Sequence, residues 1–502
     1  MANLAQYCLT QADPDPAREA LLVLGPGAVV QERWTYGDLS AAVHAVAGGL
    51  GALGLEPGAR VLLRLGHSSD FPLMFFGAIG AGLVPVPTSA MLTAGECDAL
   101  LADSGAALVL HDGHTTLPSD PEAARLLGPE EILALKQATP APFVDLDEDA
   151  PAFLVYTSGT SGRAKGVLHA QRSARGRAPM ARGWTGLGPH DRLLHAGAFN
   201  WTYTLGVGLM DPWANGATSL VYDGPRDPHI WPDLIEASGA TLFAAVPSLY
   251  RRILKYGEVR PDSFPALRHG LTAGEALAPD LHAEWCAATG RPLYEALGMS
   301  EISTYVSSGP ETPTRPGSPG RAQPGRRIAI LDPDSADTTP LPAGEAGLLG
   351  VHRGDPGLML RYWERPEDTA AAFRGDWFLT GDRASIDEEG YVWYGGRTDD
   401  VMNAFGYRVA PQEVEHALLT HPDVQDVAVT DVEASSGVSL ITAFVILNEG
   451  ARADETALAG HAARQLAEYK RPKAYRFVES LPRTPSGKLR RKDLKSGTPS
   501  RG

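Results

Sequence analysis

Short apolar runs alternate with alanine-rich stretches along the first two thirds of the chain. The runs RVLLRL at 60–65, ALVLH at 107–111 and ATLFAAV at 240–246 have the length and composition of buried strands. Strands that alternate with helical stretches are typical of sheets covered by helices. The pattern therefore predicts an α/β fold.

The most apolar stretch, from Phe71 to Met91, contains the run FFGAIGAGL at 75–83 and is interrupted by Gly80, Gly82 and Pro85. A membrane span needs about 20 uninterrupted apolar residues. We therefore predict a buried helix that continues into a strand.

The pattern changes twice in the last third of the chain. After Ala322, RIAILD and GLLGVH predict strands, and GYVWYGG predicts one arm of a hairpin whose turn is DEEG at 387–390. After Gly396, APQEVEHALLTHPDV and ETALAGHAARQLAEY predict helices, and VQDVAVTDV and SLITAFVIL predict strands. This second change predicts a separate α+β unit of roughly 100 residues.

Composition narrows the class of protein. The 502 residues include 60 Asp and Glu against 44 Lys and Arg, a formal charge of -16, which disfavours a general grip on nucleic acid. The three cysteines, Cys8, Cys97 and Cys286, lie far apart, which argues against a disulfide framework or a zinc site. The first residues, MANLAQYCLTQADPDP, lack the pattern of a signal peptide, so we expect a cytoplasmic protein.

The acidic chain ends in a basic stretch. From Lys470 onwards, Lys and Arg recur up to Lys495. Two interpretations stay open for this stretch: a solvated surface, or contacts with a polyanionic ligand.

The segment Tyr156-Thr-Ser-Gly-Thr-Ser-Gly-Arg-Ala-Lys-Gly166 carries the strongest chemical signal. Its glycines let backbone N–H groups close on an anion, and its hydroxyls and Lys165 offer donors to phosphate oxygens. Ala164 stands where a Walker A loop needs its second glycine, so an ordinary P-loop NTPase is disfavoured. A flexible Ser/Gly linker would not explain the single lysine and the strand-like run AFLV before the segment.

This segment resembles the phosphate loop of the adenylate-forming superfamily, which includes acyl-CoA synthetases, luciferases and peptide-synthetase adenylation domains. Further segments match in order to the C-terminus, and WTYTLG, DPWANGAT and LTAGEAL resemble the benzoate-CoA ligase branch. The resemblance implies an α/β fold with a large N-terminal domain at 1–396, a hinge at 397–400 and a small mobile α+β lid domain at 401–502. It also implies ATP, Mg²⁺ and CoA: the acid and ATP give acyl-AMP and pyrophosphate, and a thiol then takes the acyl group.

The resemblance assigns the nucleotide site. It gives catalytic roles to Thr160 and Lys165, and it makes Glu301, in YEALGMSE, the Mg²⁺ ligand and a catalytic residue. A cation that keeps several waters needs only one such carboxylate beside substrate oxygens. The other implied ATP and AMP contacts are Thr157, Ser158, Gly159, Ser161, Gly162, Gly274, Glu275, Glu295, Ala296, Leu297 and Ser300.

The later segments supply the implied ribose and domain-movement residues. In WFLTGD the resemblance implies that Asp382 binds both ribose hydroxyls, and in YGGRTDD that Arg397 lies near ribose and phosphate and Asp399 is the pivot. In LPRTPSGKLRR it implies that Lys488 reaches the acid and the α-phosphate during adenylation. Rotation about the pivot would then exchange Lys488 for a CoA channel formed with the Gly406 segment.

Two departures from the family pattern bear on the substrates. Asn403 replaces a common hinge lysine, which weakens any claim about the CoA step, and Asn200 replaces a common histidine at the aromatic gate. No acidic residue near Asn200 would pair with an ammonium group, so an α-amino acid substrate is disfavoured. The acyl pocket implied here consists of Phe199, Asn200, Trp201, Tyr203, Gly298, Met299 and Ile302.

Bulky aromatic residues in that pocket favour an aryl or a short to medium-chain acid. The sequence thus predicts an AMP-forming carboxylate:CoA ligase, an acid–thiol ligase. Two alternatives stay open: an adenylating enzyme that loads a carrier-protein thiol, and a catalytically silent nucleotide-binding homologue. A homodimer is a further open possibility.

Overall fold

The computed structural model describes residues 3–120, 124–157, 164–225, 227–397, 402–404, 407–435, 438–482, 489 and 491–495. Within these residues, no helix is both long enough and apolar enough to cross a membrane.

The helices cover the sheets and are numbered in chain order. They are α1 (Leu4–Thr10), α2 (Tyr36–Gly51), α3 (Asp70–Gly80), α4 (Ala94–Ser104), α5 (Pro129–Lys136), α6 (Ala178–Met180), α7 (Thr202–Leu205), α8 (Asp211–Ala214), α9 (Ile230–Ala237), α10 (Pro247–Tyr256), α11 (Pro279–Thr289), α12 (Pro366–Ala371), α13 (Pro411–Leu419), α14 (Glu455–Gln465) and α15 (Arg491–Lys495).

The strands are numbered in the same way. Those before residue 300 are β1 (Glu19–Leu24), β2 (Val30–Thr35), β3 (Arg60–Arg64), β4 (Val84–Pro87), β5 (Leu108–His111), β6 (Arg125–Leu127), β7 (Pro151–Thr157), β8 (Lys165–Ala170), β9 (Arg192–His195), β10 (Thr218–Tyr222), β11 (Leu242–Ala245), β12 (His269–Ala273) and β13 (Leu293–Met299). The later strands are β14 (Ser303–Ser307), β15 (Gly320–Ala322), β16 (Ile328–Leu331), β17 (Gly347–His352), β18 (Arg361–Tyr362), β19 (Phe373–Arg374), β20 (Trp377–Ile386), β21 (Tyr391–Arg397), β22 (Met402–Ala404), β23 (Tyr407–Val409), β24 (Val424–Ser435), β25 (Val438–Leu447) and β26 (Ala474–Phe477).

The largest sheet has a parallel half and an antiparallel half. Its order is β16-β17-β20-β21-β15-β14-β13-β12-β11-β9-β10-β1-β2, and the strands from β13 to β1 run parallel. β12 is buried along its whole length, as expected for a strand covered by helices on both faces. A second, parallel sheet has the order β4-β3-β5-β6, and β7, β8 and β18 form a third, antiparallel sheet.

Local sequence explains several element boundaries. α3 is the predicted buried helix, and it ends before β4 at residues 84–87, so the stretch after Phe71 forms a helix followed by a strand. α4 begins with a capping box, in which Thr93 and Glu96 bond each other's backbone N–H groups. The hairpin of β20 and β21 turns at 387–390, as the sequence predicts.

The residues after the predicted hinge have a core of their own. In the C-terminal unit, residues 402–495, α13 and α14 pack on the β24-β25-β26 sheet around buried residues such as Met402, Val429 and Leu458. The N-terminal unit, residues 3–397, contains the larger sheets and their cores. The α/β fold with a large and a small part is thus confirmed. The hinge at 397–400 stays a prediction, since residues 398–400 lie outside the described residues.

Candidate active site

The predicted phosphate loop joins two paired strands. Thr157 ends β7 and Lys165 begins β8, and the two residues are direct partners in the antiparallel register. The predicted loop residues Ser158, Gly159, Thr160, Ser161 and Gly162 lie outside the described residues. The residues between Thr157 and Lys165 are therefore attached to the sheet at the same end of the β7–β8 pair.

Tyr362 connects Lys165 with Glu301. The Tyr362 hydroxyl donates a hydrogen bond of 2.8 Å to Glu301 Oε1, and the Lys165 ammonium lies 5.2 Å from the centre of the same tyrosine ring. Lys165 Nζ also forms an ion pair of 3.1 Å with Asp368. The carboxylate and the cation that the sequence singled out thus meet at one aromatic side chain.

Ser300 is held in place through its backbone. The carbonyl oxygen of Ser300 accepts a hydrogen bond of 2.8 Å from His169 Nε2, whose ring stacks on Phe153 with centroids 4.5 Å apart. Because a carbonyl only accepts, Nε2 carries the proton. Burial lowers the pKa of His169 to about 4, so the imidazole is neutral at pH 7.

The residues predicted to line the adenine slot lie at the same edge of the parallel sheet. Ala273 and Ala296 are partners on β12 and β13, and Gly274 follows directly after β12. The buried Glu295 accepts a hydrogen bond of 2.9 Å from the Leu277 N–H group. Burial raises the pKa of Glu295 to about 7, although this hydrogen bond opposes the change.

The neighbouring Glu275 and Leu297 complete this predicted group. Glu275 Oε2 accepts a hydrogen bond of 3.1 Å from the Ser248 N–H group, at the start of α10. Leu297 pairs with Val306 across β13 and β14. Both residues lie next to the ends of β12 and β13, where the slot is predicted.

The predicted ribose residue lies in the antiparallel half of the sheet. Asp382 on β20 is buried and is the direct register partner of Arg397, the last residue of β21. Its Oδ1 lies 3.4 Å from the Tyr394 hydroxyl, which donates to it. The side chain of Arg397, like Asp399, lies outside the described residues.

The predicted acyl-pocket residues divide between separate regions. Phe199 is buried against Phe71, with ring centroids 4.8 Å apart. Tyr203 belongs to a different core cluster, and its hydroxyl donates to the Leu271 carbonyl oxygen at 3.2 Å. Trp201 packs edge-on against Tyr203 at 5.2 Å.

The other predicted acyl-pocket residues lie at the β13–β14 turn. Gly298 has backbone against it, since a Cβ atom there would lie 2.6 Å from the Ser303 carbonyl oxygen. Ile302 is fully buried, and Met299 is half-buried. Ser300 and Glu301 belong to the same turn, so these three predicted pocket residues are their near neighbours in the chain.

A cavity of about 610 Å³ lies between the N-terminal and C-terminal units. The described residues around it include Thr157, Asn200, Trp201 and Ser300 from the N-terminal unit, and Tyr407 and Lys470 from the C-terminal unit. A predicted phosphate contact, an acyl-pocket segment and the neighbour of Gly406 thus open onto one space. Gly406 itself, Lys488 and the side chain of Asn403 lie outside the described residues.

The oxygen groups near Glu301 suit a magnesium ion that is bound together with a nucleotide. Glu301 is buried and accepts a hydrogen bond from the Tyr362 hydroxyl. Thr157 and Ser300, which carry hydroxyl groups, line the nearby cavity. Among the described residues, no group of three or more His, Cys, Asp or Glu side chains is arranged to hold a metal alone. A single carboxylate fits Mg²⁺, which takes its remaining ligands from substrate phosphates and water.

Some residues at this site were missed from the sequence. Tyr362 lies 61 positions from Glu301, and Asp368 sits at the start of α12 in an exposed, charged segment. Lys470 was assigned to a basic stretch, whereas the structure buries it against the cavity. No periodicity or motif signals these contacts, because each one joins distant parts of the chain.

Comparisons with known proteins agree with this geometry. The family model described as AMP-binding enzyme matches residues 9–363, and the model described as AMP-binding enzyme C-terminal domain matches residues 413–488. The benzoate–CoA ligase of Thauera aromatica is 32% identical, and the alignment covers 92% of this chain and 90% of the relative.

Two solved structures show the same fold. The o-succinylbenzoate CoA synthetase of Bacillus subtilis, bound to a product analogue called OSB-NCoA, has a TM-score of 0.85, 25% identity and coverage of 99% of this chain and 98% of its own. The ATP-bound MatB of Rhodopseudomonas palustris has a TM-score of 0.73, 28% identity and coverage of 99% of both chains. Since a family model spans most of this chain and the relatives align along nearly all of it, the chain belongs to the AMP-binding enzyme family and is an AMP-forming acyl-CoA ligase, an acid–thiol ligase.

Proposed function

We propose that this ligase activates an aryl or a short to medium-chain carboxylic acid and transfers the acyl group to CoA. The observation that carries the proposal is the cavity between the two units, onto which Thr157, Ser300 and the Asn200–Trp201 segment open. This cavity supports a reaction in which the phosphate contact, the acid site and the entry for a second substrate share one space.

In the first step, a carboxylate oxygen attacks the α-phosphorus of ATP. A P–O bond forms, the bond to the β-phosphate oxygen breaks, and the products are acyl-AMP and pyrophosphate. Catalysis of this kind depends on positioning and charge stabilisation rather than on a protein nucleophile. We assign phosphate contacts to Lys165 and Thr160, and contact with the reacting oxygens to Lys488.

Glu301 would hold Mg²⁺ beside the phosphates, and Ser300 would contact the α-phosphate. When bound, the ion would neutralise charge on the phosphate oxygens. Tyr362 keeps the Glu301 carboxylate in a fixed position through its hydrogen bond of 2.8 Å. Asp382 and Arg397, as register partners on β20 and β21, would bind the ribose.

In the second step, the thiol sulfur of CoA attacks the acyl carbon. A C–S bond forms, the bond to the AMP oxygen breaks, and the thiol proton leaves to solvent. The C-terminal wall of the cavity includes Tyr407, the residue after Gly406, which supports a thiol channel here. The TM-score is 0.85 with the complex that holds a CoA product analogue and 0.73 with the ATP-bound structure. This difference supports assigning the present orientation of the two units to the second step.

The substrate class follows from the acid site. Trp201 lines the cavity beside Asn200 and packs edge-on against the buried Tyr203. That segment has no carboxylate to pair with an ammonium. The benzoate–CoA ligase among the relatives supports an aryl acid. Benzoates are therefore the first acids to test.

A cytoplasmic location and a homodimer stay predictions.

The test is acid-dependent exchange of labelled pyrophosphate into ATP, measured over a panel of benzoates and short aliphatic acids. We expect exchange with benzoates, and consumption of free CoA with the same acids. Exchange without CoA consumption would instead favour transfer to a carrier-protein thiol. No exchange with any acid in the panel would favour the catalytically silent homologue.

A further inference from the structure

A buried ion cluster joins the two units beside the cavity. The Lys470 ammonium, on the C-terminal unit, lies 2.7 Å from Glu96 Oε1 on α4 of the N-terminal unit and 2.5 Å from Glu413 Oε1 on α13. Glu96 and Glu413 both line the cavity, as Lys470 does. One lysine is therefore shared between a carboxylate of each unit.

The Glu96–Lys470 pair stays ionised despite its burial. Lys470 is buried, and the side chains of Glu96 and Glu413 are 12% and 21% exposed. Burial alone would lower the pKa of the lysine, but the neighbouring Tyr469, Glu413 and Glu96 raise it above its usual value. Burial alone would raise the pKa of Glu96, but Lys470 lowers it overall.

Apolar contacts surround the cluster. Leu92 and Cys97 of the N-terminal unit pack against Ala467 of the C-terminal unit. An aromatic stack also crosses the boundary: Trp201 lies 6.0 Å from Tyr407, and Tyr407 lies 4.2 Å from Tyr469. Attraction between charges is stronger in such a partly buried contact than at an exposed surface. It repays the desolvation of both charges only when their geometry matches, so the pair favours one orientation of the two units.

We propose that the Glu96–Lys470 ion pair is a latch that holds the C-terminal unit in the orientation enclosing the cavity, and that both are positioning residues for acyl transfer to the thiol. This inference rests on the proposed function, in which the second step uses this orientation. Rotation of the C-terminal unit for the first step breaks the latch. Glu413 moves with Lys470 and stays paired to it in both orientations.

The chain offers a matched pair of variants. Glu96→Gln removes the charge across the boundary, and it keeps the capping box of α4, which accepts Glu or Gln at this position. Glu413→Gln removes an equal charge from the same lysine and the same cavity, but within the C-terminal unit. Both carboxylates line the cavity, so a general effect of lost negative charge at its wall would appear in both variants.

The first measurement separates the half-reactions. In Glu96→Gln we expect thioester formation from supplied acyl-AMP to fall at least tenfold in kcat, with the KM for CoA within threefold of wild type. Acyl-AMP formation should stay within threefold, which also reports correct folding. Because Glu413 also lines the cavity, its variant is judged by the ratio of the two half-reactions. In Glu413→Gln this ratio should stay within threefold of wild type, whereas Glu96→Gln should lower it at least threefold.

The second measurement needs no catalysis. Dyes attached at Leu133→Cys and Leu419→Cys, two exposed positions on different units, report the orientation of the units by energy transfer. Cys286 is partly exposed and is changed to Ser so that it does not react with the dyes. We expect Glu96→Gln to lower the population with the wild-type distance at least threefold, and Glu413→Gln to leave it unchanged.

Equal effects of the two variants, or an unchanged distance distribution in Glu96→Gln, would overturn the latch. Absence of acyl-AMP formation by the wild type would instead refute the proposed function, and the dye measurement would still test the latch.

Discussion

Glu295 shows how burial sets the chemistry of a single side chain at this site. Its carboxyl group accepts a hydrogen bond from the Leu277 N–H group, and the side chain is buried on β13. Burial penalises the ionised form, so its pKa rises from 4.5 to about 7. At neutral pH the group exists in both protonation states beside the predicted adenine slot.

Replacement of Glu295 by Gln should change how stability depends on pH. The folded protein binds more protons than the unfolded chain between the two pKa values, so the free energy of unfolding falls as pH rises from 4.5 to about 7. The loss is ~3 kcal/mol at most, since one pKa unit corresponds to about 1.4 kcal/mol. Glu295→Gln should remove this loss and be more stable than wild type above pH 7.

The measurement is urea unfolding of the nucleotide-free protein at pH 5 and pH 8. Glu284→Gln, on the exposed side of α11, serves as the control and should change stability by less than about 0.5 kcal/mol at both pH values. A difference between Glu295→Gln and wild type that is the same at both pH values would refute this explanation.

β15 joins the two halves of the large sheet. This short strand pairs with β14 on one side and β21 on the other, so it links the strands of the predicted adenine slot to those of the predicted ribose site. Its first residue, Gly320, has a φ of +122°, and a Cβ atom there would lie 2.0 Å from the Ser307 carbonyl carbon. Only glycine allows the two strands to approach so closely.

Gly320→Ala should therefore destabilise the protein by about 3 kcal/mol or more, because backbone strain adds to a backbone clash. Gly390→Ala is the matched control: Gly390 also has a positive φ, +84°, but no described residue other than its chain neighbours has an atom within 4 Å of its Cβ position. The control should lose only ~1 kcal/mol. Denaturant unfolding would compare the two, and equal losses would show that the close approach at β15 is unimportant.

Two lysines in the last part of the sequence are proposed to act in different half-reactions. Lys488, which lies outside the described residues, is proposed to act while acyl-AMP forms, and the latch at Lys470 is proposed to act afterwards. Both lysines belong to the basic stretch of the sequence. On these proposals Lys488 has a reaction role and Lys470 has a positional one.

Lys488→Ala should lower the rate of acyl-AMP formation at least 100-fold, equivalent to about 2.7 kcal/mol of barrier, because a cation near the reacting oxygens is lost. Thioester formation from supplied acyl-AMP should stay within threefold of wild type. Single-turnover measurement of each half-reaction tests this, with Lys473→Ala, an exposed residue of the same stretch, as the control. An equal loss in both halves would contradict the division of roles.

Sequence reasoning succeeded where chemistry is local. The buried helix after Phe71, the hairpin at 387–390 and the strand before the predicted phosphate loop all follow from residues close together in the chain, because periodicity and turn chemistry act over short distances. The resemblance added Lys165, Glu301 and Asp382 as candidates, and their roles stay predictions.

Only the folded structure identifies the side chains that connect these candidates. Tyr362 lies 61 positions from Glu301, and Lys470 lies 374 positions from Glu96. The same sequence stretch from Lys470 would suit a solvated surface, and it was the packing of α4 against the C-terminal unit that buried its first lysine. Burial and charge pairing depend on which distant surfaces meet, and no local pattern in an amino-acid chain records that.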